Sequence, residues 1–250
     1  MADQIKALID RIKKSRNTVF FTGAGVSTDS GIPDFRSPDT GLWKTTSAQE
    51  LLFIDNFVRK PKEFYNFALK FFEDLLYAEP NLSHRFIAEV QKLSDESYVI
   101  TQNIDNLHQK AGSHNVIELH GNFYYSYCME CSQEFKTSKV FNMLKKGENP
   151  PLCPICKGLI KPDVVFFGES LPHEALNKAV KVSEKAELFI VMGSSLVVNP
   201  AALMPGYARS GGAEVAILNR NKTPYDSLAD FVIHDNLSNT VKSLEEALYE

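Results

Sequence analysis

Cysteine spacing gives the first chemical signal in this chain. Cys128 and Cys131 form one CxxC pair, and Cys153 and Cys156 form a second after 21 intervening residues. A CxxC pair brings two thiolates to one ion, and two pairs complete a tetrahedral zinc–sulfur shell. With all four positions thiolate, no coordination site is left for water or substrate, so the metal expected here is structural. Two disulfides would need an oxidising compartment. A thioredoxin-like redox pair would leave the second CxxC without a use. The flanks, Lys136, Lys139, Lys145, Lys146 and Pro150-Pro151, read as a small solvated module, and the reaction chemistry is expected outside it.

A second signal lies near the N-terminus. The apolar run Val19-Phe20-Phe21 leads into Gly23-Ala24-Gly25-Val26-Ser27. A strand followed by a glycine-rich turn is where a Rossmann-like fold lets backbone N–H groups approach a pyrophosphate. The third glycine of GxGxxG is replaced by Thr28, and no acidic residue stands about 20 positions on, which disfavours an ordinary hydride-transferring dehydrogenase. Other apolar runs also end in small or polar residues: Thr101-Gln102-Asn103-Ile104-Asp105, Gly193-Ser194-Ser195 and Asn219. Each alone is ordinary turn chemistry. On one edge of one sheet they would converge on a ligand outside the carboxyl ends of the strands. His120 follows the short run Val116–Leu119 and precedes Gly121, just before the cysteine module. An imidazole is eligible for acid–base work near neutral pH.

The elements that would carry these residues follow from hydrophobic patterning. Continuous rather than alternating apolar runs at 19–21, 98–100, 164–167, 188–192, 215–218 and 231–233 suit strands buried on both faces of a parallel sheet. Helical stretches are expected at 61–78, 82–94, 172–185, 200–210 and 237–249. Such alternation predicts an α/β, Rossmann-like doubly wound parallel sheet. Its smaller lobe would combine a zinc-ribbon insertion with a helical insertion. Segments 1–31, 81–121 and 163–250 are assigned to the nucleotide-binding domain, 32–80 to a cofactor-binding loop and helical module, and 122–162 to the zinc-binding module.

Composition narrows the function classes. Of 250 residues, 44% are hydrophobic and 23% charged, as in ordinary globular chains. The net charge of −4 offers no broad basic field, so direct nucleic-acid binding is not expected. No apolar run approaches the roughly 18 residues that span a bilayer. Residues 3–14 place Ile5, Leu8, Ile9 and Ile12 on one face of an amphipathic helix, unlike the apolar core of a signal peptide, and a cytoplasmic protein is expected.

In order along the chain stand Gly23-Ala24-Gly25-Val26-Ser27, Gly31-Ile32-Pro33-Asp34-Phe35-Arg36, Thr101-Gln102-Asn103-Ile104-Asp105, His120-Gly121, the two CxxC pairs, Phe167-Gly168-Glu169 and Gly193-Ser194-Ser195-Leu196. Jointly they resemble the sirtuin family, the NAD-dependent protein-lysine deacylases, in its compact bacterial or archaeal form. The resemblance runs from about residue 5 to 245. It implies transfer of the acetyl group from acetyl-lysine to ADP-ribose, releasing nicotinamide, O-acetyl-ADP-ribose and free lysine, with protein ADP-ribosylation as the alternative reaction. It implies NAD as co-substrate, one structural zinc ion on Cys128, Cys131, Cys153 and Cys156, acetyl-lysine proteins or peptides as partners, and a monomer.

Residue roles also come from the resemblance. His120 would be the general base, with Asn103 and Asp105 as catalytic companions. Gly23, Ala24, Gly25 and Thr28 would line the pyrophosphate site, with Phe35 and Arg36 on the loop covering the cofactor. Gln102, Asn103, Ile104 and Asp105 would line the ribose and nicotinamide pocket. Gly193, Ser194, Ser195 and Asn219 would hold the adenosine half, and Asp235 would reach the adenine. Val165, Phe167, Gly168, Glu169 and Val198 would bind the acyl-lysine peptide. Sirtuins that remove succinyl or malonyl groups carry a Tyr and an Arg three apart. Here Tyr65 is paired with Ala68, near Phe64, Phe67, Phe71 and Phe72, so acetyl and longer neutral acyl groups are expected over acidic ones.

Overall fold

The computed structural model describes residues 2–34 and 46–249. In chain order the first half runs α1 (Ala2–Lys14), β1 (Thr18–Thr22), α2 (Thr46–Leu51), α3 (Ile54–Arg59), α4 (Pro61–Phe71), α5 (Leu82–Gln91), β2 (Tyr98–Thr101), α6 (Leu107–Lys110) and β3 (Val116–Glu118). The second half runs β4 (Gly121–Cys128), β5 (Glu134–Lys136), α7 (Thr137–Lys145), β6 (Ile160–Val164), α8 (His173–Glu184), β7 (Leu188–Met192), α9 (Met204–Ser210), β8 (Glu214–Leu218), β9 (Phe231–Ile233) and α10 (Leu237–Tyr249).

Six strands form one parallel sheet in the order β3-β2-β1-β7-β8-β9. Its central strands are buried on both faces, which explains their unbroken apolar sequences. Phe20, Ile190, Ala216 and Leu218 pack toward Ile5, Leu8, Ile12, Phe86 and Val241, the apolar faces of α1, α5 and α10. Their neighbours Val19, Phe21, Phe189, Val191, Val215 and Ile217 pack on the opposite face, against Ala179 of α8 and Ala208 of α9. The period-two alternation of side chains thus feeds two cores rather than one core and solvent.

A smaller antiparallel sheet, β5-β4-β6, lies beside α7. Its core joins Val140, Phe141 and Leu144 to Phe57, Phe64, Tyr65 and Phe72, so the helical and cysteine-bearing insertions share one apolar interior. The sequence reading assigns 122–162 to one module without elements inside it, so β4, β5 and α7 have no counterpart there. The run Val164–Phe167 is corrected. Only Val164 is in a strand, at the end of β6 in the small sheet. Val165, Phe166 and Phe167 leave the sheet and cross toward α2 and α3, where Phe167 bridges Phe53. The apolar content of this run serves the small lobe's core and a cavity wall instead of the parallel sheet.

Candidate active site

Parallel strands end on the same sheet edge, so their tips converge. Register places Thr22 beside Thr101 and Met192, and Met192 beside Leu218. The next residues, Gly23, Gln102, Gly193 and Asn219, therefore stand in a row. The Gln102 N–H donates to Thr22 O, Gly23 N–H to Met192 O, and Gly193 N–H to Leu218 O, prolonging the ladder past the strands. After β1 the chain makes two tight 3₁₀ turns, at Ala24–Val26 and Thr28–Ser30. The Gly25 N–H donates to Gly193 O at 2.9 Å. A Cβ on Gly25 would lie 2.8 Å from that same oxygen. Gly193 has φ +61°, and a Cβ there would lie 2.5 Å from Val26 N. Two backbone turns pack directly together, which requires glycine at both positions. The Gln102 amide donates to Ser194 Oγ at 2.8 Å, tying the β2 and β7 tips by side chains as well.

Beneath this rim lies a buried polar network. Asp105 is 3% exposed. Its carboxylate accepts from Ser27 Oγ at 2.6 Å and from the Leu107 N–H at 3.0 Å. Burial raises the Asp105 pKa, and these hydrogen bonds offset part of the rise. The Asn103 amide donates to Gly23 O and to Ser27 Oγ, both at 3.1 Å. Ser27, whose neighbours in the glycine turn drew attention in the sequence, is therefore the hub. His84 Nε2 lies 3.4 Å from the same hydroxyl. His108 stacks edge-on against His84 at 4.9 Å, with Nε2 2.9 Å from Thr22 Oγ1. Because Thr22 Oγ1 donates to Thr101 Oγ1, His108 must supply the proton of its own contact, and its Nδ1 has no partner among the described residues. Desolvation pulls His84 down to about 4 and His108 well below the usual imidazole value, so both are neutral. Neither was singled out in the sequence. The available signal was Asn81, whose side chain caps α5 and whose own N–H donates to His84 Nδ1.

His120 stands where β3 gives way to β4. Its Nδ1 lies 2.8 Å from Gln102 O. A carbonyl only accepts, so Nδ1 carries the proton and Nε2 keeps its lone pair. Burial lowers the His120 pKa, and the Gln102 carbonyl offsets part of this. Immediately after it, Gly121 has φ +75°, and a Cβ there would sit 2.2 Å from Asp163 O. Only glycine lets β4 cross β6 at that point.

A cavity of about 810 Å³ runs between the rim and the small lobe. It is lined by Gly23, Ala24, Gly25 and Thr28, by Gln102, Asn103, Ile104, Asp105 and His120, and by Gly193, Ser194, Ser195 and Asn219. Val165, Phe167, Gly168, Glu169 and Val198 line it as well. Among the described residues the main-chain groups of Gly168 and Val197 make no hydrogen bond, so two stretches bordering the cavity keep open backbone. Asp235 is not in the lining; its carboxylate accepts the Asn236 N–H, and Asn236 and Leu237 line the cavity instead. Phe35 and Arg36 lie outside the described residues. The apolar end holds Phe64, Phe71, Phe72, Leu75 and Phe123. Tyr65 is not part of it. It is fully buried, and its hydroxyl donates to Ile160 O at 2.5 Å.

The four cysteines gather at one end of the small lobe. Their sulfurs lie within 4.8 Å of one another, with Cys128–Cys156 at 3.3 Å and Cys131–Cys153 at 3.8 Å. A tetrahedral shell with Zn–S of about 2.3 Å needs sulfurs about 3.8 Å apart, so this cluster fits one zinc ion.

A profile described as the Sir2 family matches residues 23–200. An NAD-dependent protein deacetylase of Thermotoga maritima is 46% identical over 226 residues, covering 90% of this chain and 91% of that protein. This chain belongs to the Sir2 family. A second NAD-dependent protein deacetylase, from Caldivirga maquilingensis, is 45% identical over 227 residues, covering 91% of this chain and 87% of the relative. Among solved structures, "Sir2-p53 peptide-NAD+" superposes with a TM-score of 0.89 at 42% identity, covering 97% of each chain. "Structure of Sir2Tm bound to a propionylated peptide" gives 0.88 at 41% identity, again covering 97% of each. As a Sir2-family fold, the chain has a Rossmann-like sheet facing a lobe whose clustered cysteines suit zinc.

Proposed function

We propose that this Sir2-family chain is an NAD-dependent protein-lysine deacetylase. It moves the acetyl group of acetyl-lysine to ADP-ribose and releases nicotinamide, O-acetyl-ADP-ribose and free lysine. The observation that carries the reading is His120: its Nδ1 is committed to Gln102 O, so its Nε2 is left as a base in the same cavity as the glycine turns. Relatives named for this activity and relatives solved with NAD+ or acylated peptides support it.

NAD would supply the ribose carbon that the acyl oxygen joins and nicotinamide as the leaving group. The chain's own residues supply the rest. Gly23, Ala24, Gly25 and Thr28 would receive the pyrophosphate, because the touching turns at Gly25 and Gly193 leave backbone without side chains in the way. Ser194, Ser195 and Asn219 would hold the adenosine half, with Asn236 and Leu237 beside them. Asn103, Ile104 and Asp105 would orient nicotinamide and ribose, held by Ser27. His120 Nε2 would take a proton from a ribose hydroxyl. A peptide would add between 165–168 and 196–199, using the open main chain of Gly168 and Val197, which favours little sequence selection. Phe167 and Val198 would flank the lysine stem. Zinc on the four cysteines would hold the small lobe and take no part in the reaction.

The division into a nucleotide-binding part (1–31, 81–121 and 163–250), a loop and helical part (32–80) and a zinc part (122–162) follows this reading. A cytoplasmic monomer is the setting we infer, since four zinc-binding thiolates need a reducing compartment. Among the described residues no helix is long and apolar enough to cross a membrane. The acyl group is neutral in this reading: among the described residues the only Lys or Arg lining the cavity is Arg220, beside Asn219 after β8. The test is mass spectrometry of an acetyl-lysine peptide with and without NAD. Loss of the acetyl mass only with NAD, with one nicotinamide per O-acetyl-ADP-ribose, is expected. Nicotinamide release without free lysine would replace this reading with ADP-ribosyl transfer or NAD hydrolysis.

A further inference from the structure

Lys161 is an unexpected residue to find buried, on β6 at the edge of the small sheet. Its side chain is 2% exposed, yet it carries an amine. That amine lies 3.0 Å from Glu169 Oε2 and donates to Val164 O at 2.7 Å. The rings of Phe166 and Tyr127 lie 4.5 and 5.5 Å from it. Glu169 Oε2 also accepts the Phe166 N–H at 2.8 Å, and the Glu169 N–H donates to Phe166 O. One ion pair therefore closes a ring from β6 to the residue after Gly168. Its span is the stretch that bends out of the small sheet to border the cavity.

The rest of that stretch is fixed from outside. The Val165 N–H donates to His120 O, and the Phe167 N–H donates to Leu52 O. Gly168, at φ +91°, is the turn within the ring, and its own main chain stays open. A buried ion pair rarely adds much net stability. What this one supplies is a fixed shape for the turn at Phe166–Glu169, between the backbone ties of Val165 and Phe167.

We propose that the Lys161–Glu169 pair is a buried clamp that positions the 165–168 segment for the acyl-lysine peptide. The proposal rests on the deacetylase reading for the identity of the ligand. Lys161 touches neither peptide nor NAD in this scheme; it is a positioning residue acting through Glu169 and the Phe166 N–H. Loss of the clamp loosens the peptide's edge while leaving the glycine turns, Asp105 and His120 in place.

The experiment is steady-state kinetics of Lys161→Met, Glu169→Gln, the double variant and Lys161→Arg, with hydrogen exchange of the 165–169 amides. Lys161→Met is expected to raise the peptide KM by about tenfold or more, the loss of one charge-assisted contact. The KM for NAD and kcat should stay near wild type, and exchange at the Phe166 N–H should accelerate. Lys161→Arg should restore most of the peptide KM, because it keeps the pair. If Lys161→Met does not fold, with the half-buried Glu169 carboxylate left without its partner, the double variant removes both charges and should fold with the KM defect intact. A wild-type peptide KM in a folded variant, or peptide and NAD KM rising together, overturns the clamp. If the unaltered chain does not turn over acetyl-lysine peptide, the deacetylase reading fails instead, and unchanged Phe166 exchange in Lys161→Met then rejects the clamp on its own.

Discussion

The rim of the six-stranded sheet and the wall built on β4, β5 and β6 face the same cavity but are held by different forces. The rim inherits its geometry from backbone register and from apolar cores on both faces. A lost side chain there leaves the strands in place. The wall has one shared core, a four-thiolate cluster at its far end and a buried ion pair near the cavity. A domain too small to bury much surface leans on such staples. Loss of a catalytic side chain at the rim should therefore remove chemistry and spare the fold, while loss of a staple in the wall should reach the chemistry through the wall's structure.

Zinc removal is the strongest test of that contrast. Metal binding in such modules is folding free energy. Chelation, or Cys128→Ser, is expected to abolish turnover and to lose amide protection in β4, β5 and β6, while β1, β7 and β8 keep theirs. Hydrogen exchange read by mass spectrometry distinguishes the two regions. A metal-free chain with full activity would break the comparison at its root.

Next in size is the opposite case. His120→Ala at the rim should lower kcat by about 10²–10⁴-fold, the usual worth of a positioned base. Melting temperature and NAD affinity should change little, because His120 has a single polar contact, to Gln102 O. Near-wild-type turnover would remove His120 from the chemistry. The unaltered chain should show an acid limb in kcat/KM. The neutral imidazole is the active form and burial lowers its pKa, so activity falls as pH drops through a value below the ordinary imidazole pKa of about 6.5.

Stability should carry its own pH signature at the rim. His84 and His108 are held neutral in the fold, with His84 pulled to about 4. Unfolding lets each take a proton near pH 6.5, so the unfolded chain binds more protons below that pH and stability falls as the solution is acidified. From pH 6.5 to about 4, His84 alone contributes about 3 kcal/mol of this loss. Denaturant midpoints at pH 7 and 5 should converge in His84→Gln relative to the unaltered chain. The difference between the two proteins cancels any effect of acid on the zinc thiolates, which both share. Parallel slopes would show that the histidine pair carries no such burden.

Sequence legibility divides along the same line. Strands buried on both faces leave continuous apolar runs, and their tips carry small polar residues, so β1, β2, β7 and β8 and the row from Gly23 to Asn219 could be read directly. The four cysteines were equally plain because metal spacing is written in the chain. The Val164–Phe167 run looked like another central strand, yet only Val164 closes a small sheet; apolar content alone cannot say which core a residue joins. Lys161 and His108 left no local trace, and His84 left only the helix cap at Asn81. Each matters through partners distant in sequence or through burial, and neither is visible from residue type. Asp235 and Tyr65 show the converse: each lay close to a recognisable pattern, but chain direction turns one away from the cavity and seals the other inside the wall.

Tyr65 gives the smallest and most discriminating effect. Its hydroxyl donates to Ile160 O from a fully buried ring, and burial pushes its pKa far above the usual phenol value, so it is a neutral donor fixing α4 to β6. Tyr65→Phe removes the donor and leaves the ring packed against Phe57 and Phe64. The expected cost is about 1 kcal/mol of stability, the typical net worth of one buried hydrogen bond. The ratio of acetyl-lysine to succinyl-lysine turnover should not move, since neither Tyr65 nor the equally buried Ala68 borders the cavity. A shifted acyl ratio at unchanged stability would mean that Tyr65 reaches the substrate, and the wall would then act on the chemistry directly, as the rim does.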